Sequence, residues 1–504
     1  MKLFILFCIT CFCFLSFSDG RSDPNSVGRV RAVNLGGWIV TEGWIKPSLF
    51  DGIINNDFLD GTALQFKSGK VGKYLSTEAG GGTITLAPIA SSWETFRLWR
   101  IDETTFNLRD CIGRFVGMNT IGNGKDIIAE IGRPGATETF QILRNPNDLN
   151  RVRIKAPNGF YLQVKMEEIV SADYEGNGGW GDDDDDPSVF TVTIIGKLQG
   201  EFQVTNGYGP HFASQVMKEH WSTFIVEEDF KFIKENGLNA VRIPVGWWIA
   251  SDPFPPKPYV PGSLHVLDNA FSWAEKYGIY IIIDLHAALG SQNGAEHSSS
   301  RDGSQEWGQT DDNIQQTVDV IKFLSSRYAN SSSFLAMELM NEPLSPGVSL
   351  DILTKYYKAG YDAVRKYSET AYVVLSNRLG PADPTELFRF ANGLNRSTVD
   401  VHYYPYYNNA LSSFTVDEYV EYIYKNQSEQ VKQLTTSNGP PILVGEWTAE
   451  WQLTNTSKED YKRYAAAQTE VFGRASFGWA YWTLKNANIH WSLEWMIKNG
   501  YIKL

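Results

Sequence analysis

The stretch Tyr280–Ala287, with the sequence YIIIDLHA, is a short and nearly continuous apolar run that ends in polar residues. Runs of this kind are typical of parallel strands that are buried on both faces. Similar runs recur between residue 209 and the C-terminus, and longer amphipathic stretches separate them. They are Ala240–Gly246 (AVRIPVG), Phe334–Asn341 (FLAMELMN), Ala371–Asn377 (AYVVLSN), Thr398–Tyr404 (TVDVHYY), Pro441–Trp447 (PILVGEW) and Gly478–Leu484 (GWAYWTL). This alternation predicts an α/β fold with a parallel sheet.

An eighth run, Ala32–Val40 (AVNLGGWIV), lies about 200 residues before the next strand candidate. Eight strand–helix units predict a (β/α)8 barrel, the TIM-barrel architecture. The long gap after the first run predicts that another domain is inserted between barrel strands 1 and 2. We therefore expect barrel sequence at residues 21–53 and 209–504, with the inserted domain at residues 54–208.

The predicted insert shows almost no helical periodicity, and one short pattern recurs in it three times. A Gly-x-aromatic-aliphatic turn and a closing strand with a central Phe recur as the pairs Gly72 and Phe96, Gly113 and Phe140, and Gly159 and Phe190. Three copies of a short-stranded unit predict a β-trefoil, and the pattern resembles the fascin-like trefoil family. The alternative is an irregular all-β insert with chance similarity. Its role stays open between carbohydrate targeting and a purely structural one.

Residues 1–20, MKLFILFCITCFCFLSFSDG, have the parts of a secretory signal peptide. Lys2 gives a positive start, Leu3–Phe17 form the apolar stretch, and cleavage is expected near Asp19–Ser22. The apolar stretch is shorter than the ~20 residues of a membrane span. We expect a secreted, extracellular protein of the cell wall or apoplast, with no membrane association after signal cleavage.

Cysteine usage and glycosylation motifs agree with that route. Three of the four cysteines lie in the predicted signal peptide, so Cys111 would remain alone and no internal disulfide could form. Four Asn-x-Ser/Thr sequons are compatible with glycosylation of the mature protein. They begin at Asn330, Asn395, Asn426 and Asn455.

The composition excludes some classes of partner. The formal net charge of −13 argues against nucleic acid or anionic membranes, which need clustered Lys and Arg. The 16 Trp and 24 Tyr could pack in the core or form stacking platforms for a sugar ring. No His-Glu-x-x-His motif occurs, and one remaining cysteine does not make a metal site. We therefore expect no metal and no cofactor.

Two carboxylates stand at the ends of predicted barrel strands. Glu342 follows Asn341 after the fourth strand, and Glu446 follows Gly445 at the end of the seventh. Such strand ends form the active face of a barrel, and a buried strand end is a costly place for an unused carboxylate. Glycoside hydrolysis needs two facing carboxyl groups, one to protonate the leaving oxygen and one to attack the anomeric carbon. The alternative is a pair of structural, ion-paired carboxylates.

Polar and aromatic side chains mark further strand ends. Arg242 could keep a nucleophilic carboxylate ionised, or could form a structural ion pair of the barrel. His286, His402 and Tyr404 are candidates for hydrogen bonds to sugar hydroxyl groups, although a lone histidine is often an ordinary satisfied polar group. Trp482 could form the floor under a sugar ring.

These motifs, taken together, resemble glycoside hydrolase family 5, and within it the fungal exo-β-1,3-glucanases. The resemblance covers residues 30–53 and 209–504. The pieces that carry it are Val33-Asn-Leu-Gly-Gly-Trp38, Glu42-Gly-Trp44-Ile-Lys-Pro-Ser-Leu-Phe50, Arg242-Ile-Pro-Val-Gly-Trp-Trp248, Asp284-Leu-His286, Gly290-Ser-Gln-Asn-Gly294, Asn341-Glu-Pro343, His402-Tyr-Tyr404 and Gly445-Glu-Trp447.

The resemblance implies roles for individual residues. It implies that Glu342 is the general acid/base and Glu446 the nucleophile. Glu42 matches a substrate-binding carboxylate of the family. The side chains that the resemblance places around the attacked sugar are Arg242, His286, Asn341, His402, Tyr404 and Trp482.

The chain departs from the fungal pattern at two places. Its insert between strands 1 and 2 looks like the arrangement in plant members of the family. After Gly294 it has Ala295-Glu296-His297 where the fungal pattern has Phe-Asp-Asn, in a loop that contacts the terminal sugar in those relatives. Exo-action on β-1,3-glucan therefore does not follow from the resemblance.

The sequence as a whole predicts a retaining glycoside hydrolase that cleaves β-glucosidic bonds by double displacement. The expected partner is a polysaccharide or oligosaccharide, namely β-1,3-glucan or a related cell-wall polysaccharide. Asn341 would bond the sugar 2-hydroxyl, and the two carboxyl groups should lie about 5–5.5 Å apart. Two alternatives stay open: a transglycosylase with the same first step, and a non-catalytic carbohydrate-binding wall protein.

Overall fold

The computed structural model describes residues 28–504 apart from residues 79–81, 121–123, 166–167, 177–179 and 181–185. The predicted signal peptide and the three cysteines in it lie outside the described residues. Cys111 is exposed and unpaired with another cysteine. Among the residues that the structure describes, no helix combines the length and the apolar character that a membrane crossing requires.

The chain enters the barrel with β1 (Val30–Asn34) and then builds a separate antiparallel sheet. The strands of that sheet are β2 (Ala63–Ser68), β3 (Tyr74–Ser76), β4 (Thr85–Ala87), β5 (Phe96–Arg100), β6 (Thr105–Arg109), β7 (Phe115–Met118), β8 (Ile127–Ile131), β9 (Phe140–Asn145), β10 (Asp148–Lys155), β11 (Tyr161–Val164), β12 (Val170–Tyr174) and β13 (Phe190–Gly196). We call β2–β13 the inserted β-domain. It has its own apolar core, and its predicted trefoil topology stays a prediction.

The sequence repeats of the inserted β-domain have a local structural cause. Glu94 accepts a hydrogen bond from the backbone N–H of Ser91, and Glu138 accepts one from the N–H of Gly135. Each glutamate thereby closes a short 3-10 turn just before a strand that begins with phenylalanine. Phe96, Phe140 and Phe190 are all buried in the domain core.

The remaining strands close the predicted barrel. They are β14 (Ala240–Gly246), β15 (Tyr280–Ala287), β16 (Phe334–Glu338), β17 (Tyr372–Ser376), β18 (Ser397–Tyr403), β19 (Ile442–Trp447) and β20 (Gly478–Tyr481). Each pairs in parallel with the next, and β1 pairs with both β14 and β20. The prediction of an eight-stranded parallel barrel is confirmed, with an all-β domain between its first and second strands.

The first barrel strand is shorter than the apolar run that predicted it. β1 ends at Asn34, whereas the run continues to Val40. The chain turns at Gly37, whose φ of 72° lies in the left-handed region. A Cβ atom there would lie 2.7 Å from the side chain of Ile45, so the turn needs glycine.

Helices cover the outside of the barrel. They are α1 (Glu201–Thr223), α2 (Glu227–Glu235), α3 (Ser263–Tyr277), α4 (Asp311–Tyr328), α5 (Leu350–Arg365), α6 (Phe388–Asn392), α7 (Val416–Tyr422), α8 (Ser428–Leu434), α9 (Lys458–Phe472) and α10 (Leu493–Lys498). The inserted β-domain ends at Gly196, and α1 begins before the predicted boundary at 208/209. That boundary coincides with a kink in α1 at Gly209 and Pro210.

A buried histidine in α1 should make the fold sensitive to acid. His220 directs Nε2 at the carbonyl oxygens of Gly37 and Trp38, at 2.9 and 3.1 Å, and burial lowers its pKa to about 4. An unfolded histidine binds a proton below about pH 6.5, so the unfolded state gains a proton first and stability falls between pH 6.5 and 4. We expect urea unfolding of His220→Gln, which keeps a donor, to lose about 3 kcal/mol less over that range than the wild type. Equal losses would contradict this.

Candidate functional site

The two predicted carboxylates meet at the carboxyl end of the barrel. Glu446 belongs to β19, and Glu342 lies four residues beyond the end of β16. Glu342 has a φ of 47°, a left-handed conformation that non-glycine residues adopt rarely and mostly where the surroundings enforce it. Both side chains are largely buried, and one carboxylate oxygen of each lies within 4.8 Å of the other. The geometry therefore lets both reach one atom of a bound ligand.

Arg242, from β14, is buried next to these carboxylates and contacts several residues of the site. Its Nη1 donates to Glu446 Oε1 at 3.0 Å, and its Nη2 donates to Asn341 Oδ1 at 2.8 Å. Its Nε and Nη2 also bind both oxygens of Glu338, at 2.7 and 2.9 Å. The guanidinium is fully buried, and Asp284 lies 3.2 Å from it. Arg242 thus pairs with Glu446 and also forms structural ion pairs with Glu338 and Asp284 inside the barrel.

Two side chains from the region of β18 reach the carboxylate pair. Tyr404 donates its hydroxyl to Glu446 Oε2 at 2.7 Å. The Nδ1 of His402 lies 2.6 Å from Glu342 Oε1 and 3.5 Å from Glu446 Oε2, and its Nε2 lies 3.1 Å from Asp400 Oδ2. Burial alone would lower the pKa of His402, but the charges of Glu446, Asp400 and Glu342 raise it well above 6.5. His402 therefore carries a positive charge between the carboxylates.

The pair titrates at widely separated pH values. Burial, with a further contribution from the charge of Glu342, raises the pKa of Glu446 to about 8. These two effects together outweigh the opposite effects of His402, Arg242 and Tyr404. Burial also acts on Glu342, but the charge and hydrogen bond of His402 prevail and lower its pKa to about 2. At neutral pH the two carboxyl groups thus hold one proton between them, as expected for like charges this close.

Among the described residues near the pair, an aromatic contact and a free donor stand out. The rings of His286 and Trp482 stack with centroids 5.4 Å apart, and His286 Nδ1 lies 2.5 Å from Asp284 Oδ2. Burial lowers the pKa of His286 well below 6.5. Asn341 Nδ2 is buried and has no hydrogen-bond partner in the structure. A donor in that state is suited to a ligand hydroxyl.

Glu42 is connected to Tyr404 through aromatic rings. It accepts a hydrogen bond from Trp44 Nε1 at 3.0 Å, and its other oxygen is buried without a partner. Trp44 packs on Trp491, which packs on Tyr404. Burial and the charges of Glu296, Glu446 and Glu342 raise the pKa of Glu42 well above 4.5. All nine predicted site residues therefore belong to one group of neighbouring side chains, while their individual roles stay predictions.

Three buried acids of the site were missed from the sequence: Asp284, Glu338 and Asp400. A signal existed for two of them, because Asp284 and Asp400 each stand two residues before a histidine of the site. Alternate residues of a strand share a face, so each pair points into the barrel together. Glu338 lies inside an apolar run and has no comparable local signal.

Within the part of the chain that the structure describes, two groups of side chains have the spacing of metal ligands. Glu342, His402 and Glu446 each offer an atom within 4.8 Å of the others, and so do Glu338, Asp400 and His402. Arg242 lies beside both groups, with nitrogens 3.0 Å from Glu446 and 2.7 Å from Glu338. A divalent cation would meet that buried positive charge, so these donors suit a guanidinium better than a metal.

The family of the chain follows from comparison with known proteins. Residues 205–488 match the model described as Cellulase (glycosyl hydrolase family 5), and residues 55–195 match a domain of unknown function, DUF7910. The chain is similar to the probable glucan 1,3-beta-glucosidase A of Aspergillus fumigatus, with 33% identity over 355 residues, 62% of this chain and 82% of that protein. It is similar to the glucan 1,3-beta-glucosidase of Pichia angusta, with 32% identity over 363 residues, 63% of this chain and 81% of that protein.

A solved structure supports the same fold. The crystal structure of rutinosidase from Aspergillus niger superimposes with a TM-score of 0.51 and 21% identity, covering 60% of this chain and 88% of that one. The family model covers more than half of the chain, and the relatives are matched over most of their length. The chain therefore belongs to glycosyl hydrolase family 5 and is a glycoside hydrolase.

Proposed function

We propose that the protein is a secreted, retaining glycoside hydrolase that cleaves β-glucosidic bonds of β-1,3-glucan or a related cell-wall polysaccharide. The observation that carries this proposal is the approach of Glu342 and Glu446, whose oxygens lie within 4.8 Å of each other. Retaining enzymes hold their carboxyl groups about 5–5.5 Å apart, and inverting enzymes about 6.5–9.5 Å apart to admit a water between them. The names of the two fungal relatives support the substrate class.

The reaction proceeds in two displacements on this geometry. The Glu446 carboxylate attacks the anomeric carbon, the bond to the leaving oxygen breaks, and the carboxyl proton of Glu342 passes to that oxygen. Water then attacks the glycosyl-enzyme, gives its proton to Glu342 and releases Glu446. Arg242 and Tyr404 stabilise the charge that Glu446 regains, because both donate hydrogen bonds to it.

The two carboxyl groups share one proton, and the first displacement needs that proton on Glu342. His402 Nδ1 contacts Glu342 Oε1 at 2.6 Å and Glu446 Oε2 at 3.5 Å. It can therefore give its proton to Glu342 and take up the proton of Glu446, so that its own charge is unchanged.

The remaining side chains hold the sugar. Asn341 Nδ2 is the free donor for the 2-hydroxyl, and Trp482 forms the floor under the ring. The free oxygen of Glu42 accepts from another hydroxyl group. His286 borders the same subsite through its contact with Trp482.

Secretion is part of the proposal and rests on the N-terminal sequence. The asparagines of all four sequons, Asn330, Asn395, Asn426 and Asn455, are exposed. Exposure of every acceptor supports a chain that passes through the secretory route, because glycans are added to surface residues.

The test of the proposed activity is a panel of β-1,3-, β-1,4- and β-1,6-glucans and mannans, with product anomers followed by proton NMR. We expect β-configured products first. Products of the opposite anomer would contradict retention, and no turnover on any glycan would favour a binding protein. A sugar acceptor in the same assay separates hydrolysis from transglycosylation.

The role of Glu342 predicts a dependence on the leaving group. Glu342→Ala should slow cleavage of a β-glucan by about 10³-fold, because the departing alkoxide is no longer protonated. Cleavage of a dinitrophenyl β-glucoside, which needs no protonation, should fall by less than about tenfold in its first step. Pre-steady-state burst kinetics measure the rate of the first step with each of the two substrates. When azide is added to Glu342→Ala, the product should be a glycosyl azide of retained configuration.

The matched control is Glu429→Ala, since Glu429 is an exposed glutamate paired with Lys432. It should leave both substrates unaffected. An equal loss on both substrates in Glu342→Ala would remove Glu342 from the acid/base role.

A further inference from the structure

A second histidine contacts Glu342 and has no part in the mechanism above. His297 lies in the loop of residues 288–310, between β15 and α4, where the chain departs from the fungal pattern. Its Nε2 lies 3.4 Å from Glu342 Oε2 and 2.9 Å from Asn293 Nδ2. The ring packs edge-on against His286 with centroids 5.2 Å apart. His297 therefore faces the carboxyl oxygen of Glu342 that His402 leaves free.

The hydrogen bonds of Asn293 settle which form His297 takes. Asn293 Oδ1 accepts from the backbone N–H of Ala295, so its Nδ2 is the donor toward His297. His297 Nε2 is then an acceptor, and burial lowers the pKa of this histidine to about 4, which keeps the ring neutral. A nitrogen lone pair beside Glu342 Oε2 stabilises the protonated carboxyl, which can donate to it, and disfavours the carboxylate.

The charged and titratable groups around this contact come from five different elements of the barrel. Glu342 and His297 are faced by Arg242 from β14, His286 from β15, His402 from β18, Glu446 from β19 and Glu42 from the first loop. His297 is the member of this set that belongs to the long loop.

The inserted β-domain contacts that loop mainly at the buried carboxylate of Asp302, and Arg109 Nη2 also donates to Glu306 Oε1 of the loop at 3.3 Å. Asp302 Oδ2 accepts from Trp99 Nε1 at 2.5 Å and from Arg109 Nη1 at 2.7 Å, and its backbone oxygen accepts from Arg97 Nη1. The Asp302 side chain is 1% exposed. Three donors from β5 and β6 thus converge on one residue of the loop.

The neighbours of Asp302 tighten the same contact. The guanidinium of Arg301 lies 3.8 Å from the ring centroid of Trp99. Gly303 has a φ of 83°, and a Cβ atom there would lie 2.1 Å from Arg97 Nη1. A larger residue at position 303 would have to adopt this left-handed backbone conformation and would displace the Arg97 side chain.

We infer that the inserted β-domain is a brace for the candidate acid: through Asp302 it fixes the 288–310 loop and holds His297 as a positioning residue against Glu342. This inference deepens the proposed function and rests on it. The domain thereby takes part in the active-site architecture, and its role does not require a ligand of its own.

The test compares two arginines of the inserted β-domain. Arg109→Ala removes the donors to Asp302 and Glu306 of the loop, whereas Arg114→Ala removes an ion pair with Asp110 inside the domain. The two arginine side chains are 18% and 15% exposed. We expect hydrogen–deuterium exchange in the 288–310 loop to rise by about tenfold or more in Arg109→Ala and to stay unchanged in Arg114→Ala. This measurement needs no turnover, so it stands apart from a failure of the proposed activity.

The pH profile tests the effect on Glu342. In His297→Ala and in Arg109→Ala the alkaline limb of kcat/KM should move to lower pH, because the pair of Glu342 and Glu446 loses the neutral acceptor that favours its protonated form. The double variant should resemble His297→Ala alone, since both changes act through one contact. If Arg109→Ala fails to fold, Trp99→Phe replaces it in the test, because it removes the other side-chain donor to Asp302 Oδ2. Three results would each overturn the inference. They are unchanged hydrogen–deuterium exchange of the loop in Arg109→Ala, an unchanged alkaline limb of kcat/KM in His297→Ala, and a shift of that limb in the double variant equal to the sum of the two single shifts.

Discussion

Glu446→Ala is expected to lower kcat by about 10⁴-fold or more on every substrate, including those with good leaving groups. The loss does not depend on the leaving group because no glycosyl-enzyme can form without this carboxylate. Azide should restore part of the turnover, since it is small enough to attack the anomeric carbon from the space that the side chain vacates. The product should be a glycosyl azide of inverted configuration, opposite to that from Glu342→Ala.

The fold should survive this change. Ionisation of a glutamate whose folded pKa is raised to about 8 opposes folding at all pH values above its unfolded pKa, so removal of the side chain relieves that cost at pH 7. We expect the melting temperature not to fall. Glu470→Ala, which changes an exposed glutamate paired with Arg474, is the control and should retain full activity. A near-native rate in Glu446→Ala would reject the nucleophile assignment.

Arg242→Ala is expected to destabilise the protein by about 3–5 kcal/mol as well as to inactivate it. Removal of this fully buried guanidinium leaves Glu338, Asp284 and Glu446 without their shared positive partner in the barrel interior. Denaturant unfolding measures the loss, and the midpoint should shift while the slope is retained.

A surface arginine provides the comparison for Arg242. Arg474 pairs with Glu470 at 2.7 Å, and both side chains are about half exposed. Arg474→Ala should change the unfolding free energy by less than about 1 kcal/mol. A loss of that small size in Arg242→Ala would show that the acids beneath the site do not need it for folding.

Much of the fold could be predicted because its signals are local. The runs Ala240–Gly246 and Tyr280–Ala287 coincide with barrel strands to the residue, and five other runs differ from their strands by one to three residues at an end. A strand buried on both faces needs apolar side chains throughout, which makes it visible in the sequence. Glu342 and Glu446 could be found because each interrupts such a run at its end. The end of β1 was misjudged because the turn at Gly37 depends on contact with Ile45.

The parts that were missed depend on contacts between distant residues. Glu338 is satisfied by Arg242, 96 positions away, so nothing near it in the sequence indicates why a carboxylate is buried there. The contact of Trp99 with Asp302 joins residues 203 positions apart in two different domains. His297 was recognised as a departure from a family pattern, but only the folded chain shows that it touches Glu342.

The pairing of β1 with β20 has a consequence for how the chain acquires its structure. Val30 lies opposite Gly478 and Val33 opposite Tyr481, so the last pairing of the barrel joins strands that are far apart in the sequence. During synthesis the inserted β-domain can fold as a unit before β14 and β20, the partners of β1, have been made. The barrel can close only after β20 leaves the ribosome, so the edges of the incomplete sheet stay open to pairing with other chains until then.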